Sequence, residues 1–352
     1  MAEPSIPTID VGPLFGRPGA ARTRTDRAIM AAAIGSGFMT ITGLPPSCAA
    51  GKARRAELLR IFTLREQSKR RLLRRKFDAA RANVYRGWFP LQAGGPTYKE
   101  GIDIGPDLAD AGWQPDPADP LTEATPLPSE AELPGWRQAA ADYYHGMEQL
   151  GATLMRAIAR GLGLAETTFD APFRGGISTL RLIRYPVRPP GALGAEARAA
   201  ATIEHQGRKR EIAGGAHVDS GFVTLLAQDG VEGLQALGAD GRWLDVPPLE
   251  GTLAVNFGGL LERWSGGRIK ATEHRVVAAG RERCSIPFFY EPRVDALIAP
   301  LPGGAAFAPF TYGDHLWAAM SRFVEFQGLE HLRMPRPVPA ATPEPHTDPI
   351  PT

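Results

Sequence analysis

Apolar residues recur at three- and four-residue steps from Trp136 to Gly161, through Ala139, Tyr143, Met147, Leu150, Leu154 and Ile158, which predicts a long amphipathic helix. An alanine-rich stretch from Ala21 to Ile34, stopped by Gly35 and Gly37, predicts another. Lys52 to Phe77 reads as a further helix, with Leu58, Leu59, Phe62, Leu72, Leu73 and Phe77 set against a basic remainder. Strand-like runs stand at Ile6 to Asp10, in GFMTITG from Gly37, and from near Ile177 in STLRLIRYP, where Pro186 ends the ladder. Between Pro186 and His217 the first half of the connection reads as loop and the second half as a hairpin. Pro106 to Pro134 reads as an irregular surface loop, and a closing helix starts around Tyr312 with Asp314 in its first turn. From Pro335 onward a proline-rich tail without apolar periodicity is expected to be poorly ordered.

A chain of 352 residues with 43% hydrophobic content can bury a large core. Its formal net charge of +2 gives no overall field that would mark a nucleic-acid or membrane protein. The one strongly basic run, with eleven Lys or Arg against three Asp or Glu from Gly51 to Asp78, carries no interleaved stacking aromatics. It is expected to be the solvated outer face of a helix. Cys48 and Cys284 are too few for a disulfide framework, and neither a signal-like N-terminus nor an apolar run of membrane-spanning length is present. A soluble protein of the reducing cytoplasm is the expectation.

The chemistry concentrates in two segments. GAHVDSG presents His217 and Asp219 two residues apart in a strand-like run, where alternation puts both side chains on one face. Further on stand His274 and, nine positions later, Arg283 and Ser285 flanking Cys284, which the same alternation turns away from the pocket. Two imidazoles and a carboxylate fit a facial iron(II) site with three coordination positions left open. Arg283 and Ser285 on one strand face offer a bidentate fork and a hydroxyl to a carboxylate. Plainer roles exist for each: histidines satisfied by backbone carbonyls, an aspartate capping a turn before Ser-Gly, an arginine in a surface ion pair. His145 reads as a surface or packing residue, His205 as solvent-exposed and His315 as structural. Trp88 and Phe89 suit either the core or a pocket wall, and Phe307, Phe310 and Tyr312 are candidates for a pocket mouth.

The ordered set HVD, His274 and RCS, with 54 residues between Asp219 and His274 and the flanking words TLLAQD, GLQ, HRV and PFF, resembles the isopenicillin N synthase-like superfamily of iron(II)/2-oxoglutarate oxygenases. The likeness runs over nearly the whole chain. It implies a mostly β fold with flanking α: a double-stranded β-helix, or jelly roll, with an N-terminal α/β portion and supporting helices. Residues 1–135 would form the N-terminal region, 136–334 the supporting helix, catalytic core and closing helix, and 335–352 a disordered tail. The resemblance further implies that His217, Asp219 and His274 bind Fe(II), that Arg283 and Ser285 grip the distal carboxylate of 2-oxoglutarate, and that Tyr185 stands near it. Asn256 and Phe257 would serve strand packing and support of the ligands. Ile183, where many plant members carry asparagine, Gly259, where many carry aspartate, and the SGG of residues 265–267 depart from the pattern.

The implied activity consumes 2-oxoglutarate and O2 and hydroxylates, desaturates or cyclises a small-molecule substrate (amino acid, peptide or specialised metabolite), releasing succinate and CO2. No nucleic acid or membrane partner is expected, and the chain would be a monomer or weak homo-oligomer. Two alternatives remain open: an iron oxidase like isopenicillin N synthase, which uses the arginine and serine for its substrate's carboxylate and consumes no 2-oxoglutarate, and a non-catalytic metal-binding jelly roll.

Overall fold

The computed structural model describes residues 5–92, 94–95, 97–302, 304, 306–323 and 326–337. The tail expected over 335–352 lies outside them from residue 338 onward. From the N-terminus the elements are β1 (Thr8–Asp10), α1 (Ala20–Gly35), β2 (Phe38–Thr42), α2 (Lys52–Leu59), α3 (Glu66–Arg71), β3 (Gly87–Phe89), β4 (Glu100–Ile104), α4 (Trp136–Gly161), α5 (Asp170–Phe173) and β5 (Thr179–Tyr185). There follow α6 (Ala195–Ala200), β6 (Thr202–His205), β7 (Arg208–His217), β8 (Val223–Gln228), β9 (Leu234–Leu237), β10 (Trp243–Asp245) and β11 (Leu253–Phe257). Then come α7 (Gly259–Trp264), β12 (His274–Val277), β13 (Arg283–Tyr290), β14 (Leu297–Ile298), β15 (Phe310–Thr311) and α8 (Tyr312–Met320).

Two sheets form the jelly roll. The larger has the order β1-β2-β11-β8-β13-β5-β4-β3, and the smaller β10-β9-β12-β7-β6. The early strands β1 to β4 thus extend the same sheet that carries β13. On its outer face lies α4, whose apolar stripe of Tyr143, Met147, Leu150, Leu154 and Ile158 is buried, as the spacing predicts. Loss of a buried leucine such as Leu154 to alanine costs about 2–5 kcal/mol in such a setting. Gly146 lets α4 sit against the segment before α2, because a Cβ there would lie 2.0 Å from the Ser47 carbonyl oxygen. Between the sheets, one small cluster joins Phe38, Leu234, Ala236, Val246, Ala254 and Val276, and another joins Phe89, Ile183 and Tyr185.

The expected helix over Lys52–Phe77 is broken. α2 passes into a 3-10 turn at Arg60–Thr63, and the chain is extended at Leu64 and Arg65 before α3 begins. The end of α3 has a tertiary cause: the chain there turns to bond alongside β3, with Trp88 N donating to the Leu72 carbonyl at 2.6 Å and Arg74 N to that of Trp88 at 3.1 Å. Nor are the basic residues of this segment all solvated. Arg55, Lys69 and Arg74 are buried and paired with Glu250, Glu100 and Asp103. Burial alone would raise the Asp103 carboxyl, but the Arg181 and Arg74 guanidiniums hold it down to about 2. The Pro106–Pro134 segment is irregular, as expected, yet anchored by buried Leu108, Asp119, Pro120, Leu121 and Thr122.

Candidate active site

β7 and β12 are antiparallel neighbours in the smaller sheet, and their register sets His217 directly opposite His274. The two rings lie 4.4 Å apart between centroids. The strand expected to carry both His217 and Asp219 ends at His217, and Asp219 stands in the turn that follows. That turn is fixed by the start of α7, whose Gly259 N–H donates to the Asp219 carbonyl at 2.7 Å and whose Leu260 N–H donates to that of Gly221 at 3.1 Å. Gly258 allows this approach, since a Cβ would meet the Gly221 carbonyl oxygen at 2.3 Å. Asp219 Oδ1 consequently lies 3.6 Å from His217 Nε2 and 3.8 Å from His274 Nε2. One ligand atom from each of the three residues falls within 4.8 Å of the others, an arrangement that could hold a metal ion.

Every other polar atom of the trio is already occupied. His217 Nδ1 lies 2.8 Å from the Gly215 carbonyl and His274 Nδ1 lies 3.1 Å from that of Thr272. A carbonyl can only accept, so each Nδ1 carries the proton and each Nε2 lone pair faces the centre. Asp219 Oδ2 accepts from Thr224 Oγ1 at 2.5 Å and Asn256 Nδ2 at 2.7 Å, which leaves Oδ1 for the centre. Burial would raise the Asp219 carboxyl, but His274, His217 and these two hydrogen bonds outweigh it and hold the group below its ordinary value. Desolvation, then repulsion from His274, pushes His217 down, even though its side chain keeps 40% exposure at the open edge of the site. An ionised carboxylate between two neutral imidazoles is the donor set iron(II) requires.

Arg283 opens β13 opposite Tyr185, and its guanidinium lies over the Tyr185 ring at 5.4 Å. The residue is 2% exposed. Its Nη2 reaches only Gln228 Oε1, at 3.4 Å, while Nε and Nη1 are buried with no hydrogen-bond partner. Arg283 and Tyr185 help to wall a cavity of about 370 Å³, which is also lined by Ile212, Ala213 and Val277. Those three belong to β7 and β12, the strands that end in His217 and begin with His274. Ser285 is buried one alternation beyond Arg283 and is not part of that wall. Cys284 points the other way, with its thiol pushed up to about 12 by burial and by the Asp229 and Glu282 charges.

His145, His315 and His205 stay outside the site. His145 is exposed on α4, and His315 bonds the Ser220 carbonyl at 2.9 Å, a structural contact beside the Asp219 turn. His205 departs from expectation: its side chain is 12% exposed and its Nε2 lies 3.0 Å from Asp245 Oδ1, because the β6–β7 hairpin folds against β10. Tyr312 is core and not pocket mouth, since its hydroxyl donates to buried Glu291 at 2.7 Å. Phe307 and Phe310 instead clasp Arg263, each at 4.7 Å. Trp88 and Phe89 are both buried. Sequence reasoning missed Thr224 and Gln228; both lie on β8, in the word VTLLAQ, where period-two spacing puts them on one face.

Residues 197–292 match the 2OG-Fe(II) oxygenase superfamily. The chain is 32% identical to the 2-oxoglutarate-Fe(II) type oxidoreductase hxnY of Emericella nidulans, over 86% of this chain and 84% of that protein. It belongs to the 2-oxoglutarate/iron(II) oxygenase family. Isopenicillin N synthase of Streptomyces clavuligerus is 29% identical over 90% of this chain and 94% of its own. Among solved structures, a full-length Neurospora crassa protein crystallised in complex with alpha-KG superposes with a TM-score of 0.72 at 26% identity, covering 90% of this chain and 95% of the other. This oxygenase is therefore an oxidoreductase that uses iron and 2-oxoglutarate. Among the described residues no helix is long and apolar enough to cross a membrane.

Proposed function

We propose that His217 Nε2, Asp219 Oδ1 and His274 Nε2 hold the iron, that Arg283 with Tyr185 and Ser285 takes the distal carboxylate of 2-oxoglutarate, and that the enzyme hydroxylates, desaturates or cyclises a small organic substrate. Iron(II), when bound, supplies open coordination positions and the redox chemistry that couples decarboxylation of 2-oxoglutarate, to succinate and CO2, with oxidation of a substrate carbon. The residues supply position. Thr224 and Asn256 fix which aspartate oxygen faces the centre, and the Gly215 and Thr272 carbonyls fix both imidazole tautomers. The Tyr185 ring lies against the Arg283 guanidinium, which is withdrawn from water, where a charge-assisted bond to a carboxylate is strong.

The observation that carries this reading is the buried Arg283 with two unpartnered nitrogens. A guanidinium withdrawn from water without hydrogen bonds is costly, and a carboxylate ligand removes that cost. Anaerobic titration of the iron(II)-loaded protein with 2-oxoglutarate, followed by the visible metal-to-ligand charge-transfer band, tests it. The band is expected in the wild type and should need at least ~30-fold more 2-oxoglutarate in Arg283→Ala, from a loss of about 2 kcal/mol or more. Iron binding without a band would overturn the reading and favour an oxidase of the isopenicillin N synthase kind, to be tested by oxygen consumption with candidate peptides.

A further inference from the structure

The cavity next to Arg283 carries more positive charge than one carboxylate needs. Its wall includes Arg188, Arg208, Lys209, Arg210, Arg281 and Arg283 against the single carboxylate of Glu211, in a chain whose formal net charge is only +2. Glu211 is already engaged by Arg188 at 3.3 Å and Arg198 at 3.7 Å. Arg210 donates to the Ala278 carbonyl at 3.4 Å and lies 3.5 Å from Glu232. Arg208, Lys209 and Arg281 are exposed and their side chains have no ion-pair or hydrogen-bond partner among the described residues.

The backbone turns that carry Arg208 and Arg281 are held in place. Arg208 follows the two-residue turn Gln206–Gly207, whose φ values of 52° and 69° suit a tight hairpin, and that turn is tied to β10 by His205 and Gln206, each 3.0 Å from Asp245. Arg281 follows Gly280, at φ 76°, in the β12–β13 turn, and Ala278 N–H at the start of that turn donates to the Glu211 carbonyl at 2.8 Å. Apolar wall is contributed by Val187, Ile212 and Val277.

We propose that Arg208 and Arg281 form an outer oxyanion subsite that binds a carboxylate of the substrate, so that this enzyme acts on an anionic small molecule with an apolar body. The inference rests on the assignment of Arg283 to 2-oxoglutarate: with that acid's charges taken by the metal and Arg283, the outer cations are left for a second anion. Exposed guanidiniums lining a cavity also raise the local concentration of such a substrate.

Calorimetric titration tests this with anaerobic protein saturated in iron(II) and 2-oxoglutarate, using aryl and alkyl carboxylates each matched to its neutral amide. At least one acid should bind about tenfold or more tightly than its amide, from one charge-assisted contact. That preference should vanish in Arg208→Ala/Arg281→Ala and return in part in Arg208→Lys/Arg281→Lys. The same double variant should keep its 2-oxoglutarate dissociation constant within about twofold, since both side chains lie outside the inner grip. Acids that never outperform their amides, or a preference that survives the alanine variant, would overturn the subsite. A double variant that loses 2-oxoglutarate itself would also overturn it, by making the rim part of the co-substrate grip. Binding of 2-oxoglutarate to the wild type is read first, so failure of the underlying assignment is seen separately.

Discussion

At the triad, each hydrogen-bonding atom that does not face the centre is already paired, whereas at Arg283 two buried guanidinium nitrogens have nothing to bond. The triad is a finished piece of protein: its geometry is held by two carbonyls, a threonine and an asparagine, so an arriving metal finds its ligands oriented. The arginine end is unfinished, and only a ligand completes it. Preorganisation at one end favours tight metal retention. An uncompensated charge at the other makes the apo protein bear a cost that an anion removes, which ties stability to occupancy.

Substitutions at the two ends should therefore differ in sign as well as size. The largest effect is expected from Asp219→Ala, which removes the anionic ligand and strands Thr224 and Asn256. Iron-dependent activity should fall below detection, and the metal-free protein should lose about 1–3 kcal/mol for each buried group left unpaired, measured by denaturant unfolding. Next, Arg283→Ala should weaken 2-oxoglutarate by about 2–5 kcal/mol while iron binding persists, read by calorimetry. Smaller again, Thr224→Val or Asn256→Ala should cost roughly 10–100-fold in metal affinity, because each frees the carboxylate to rotate. An unchanged affinity in both would mean that the supporting bonds do not orient Asp219.

The smallest effect concerns Cys284, between the two residues of the anchoring pair but on the opposite face. With its thiol raised to about 12, it stays protonated at pH 8 and should resist alkylation in the folded protein, as followed by mass spectrometry. Modification as fast as in unfolded protein would place Cys284 in an open pocket and contradict the alternation that buries Arg283 beside it.

Legibility in the sequence followed the same division. His217 with Asp219, and Arg283 with Ser285, could be named because each pair is two residue types at a fixed short offset in a strand-like run, whereas His274 and Tyr185 were named through the resemblance of the ordered set. What supports them is tertiary. Thr224 meets Asp219 in the β7–β8 turn, which is tied to the start of α7, 40 residues further on, and His205 is covered by an aspartate 40 residues away on β10. The break at Leu64 and Arg65 has no proline or glycine to announce it, and the buried partners of Arg55, Lys69 and Arg74 lie on other elements, so helical spacing alone read this segment as one solvated helix. The long helix over 136–161 was legible to the residue because its periodicity is both local and complete.

The most direct test of the contrast between the two ends is denaturant unfolding of metal-loaded wild type and Arg283→Met, each with and without 2-oxoglutarate. Without the acid, Arg283→Met should equal or exceed the wild type, since a buried unpaired charge has been replaced by an apolar side chain. With the acid at about 100 times its wild-type dissociation constant, the wild type should gain about 2.7 kcal/mol and Arg283→Met no more than about 1 kcal/mol. An Arg283→Met protein already destabilised without 2-oxoglutarate, or stabilised by it as much as the wild type, would contradict the account.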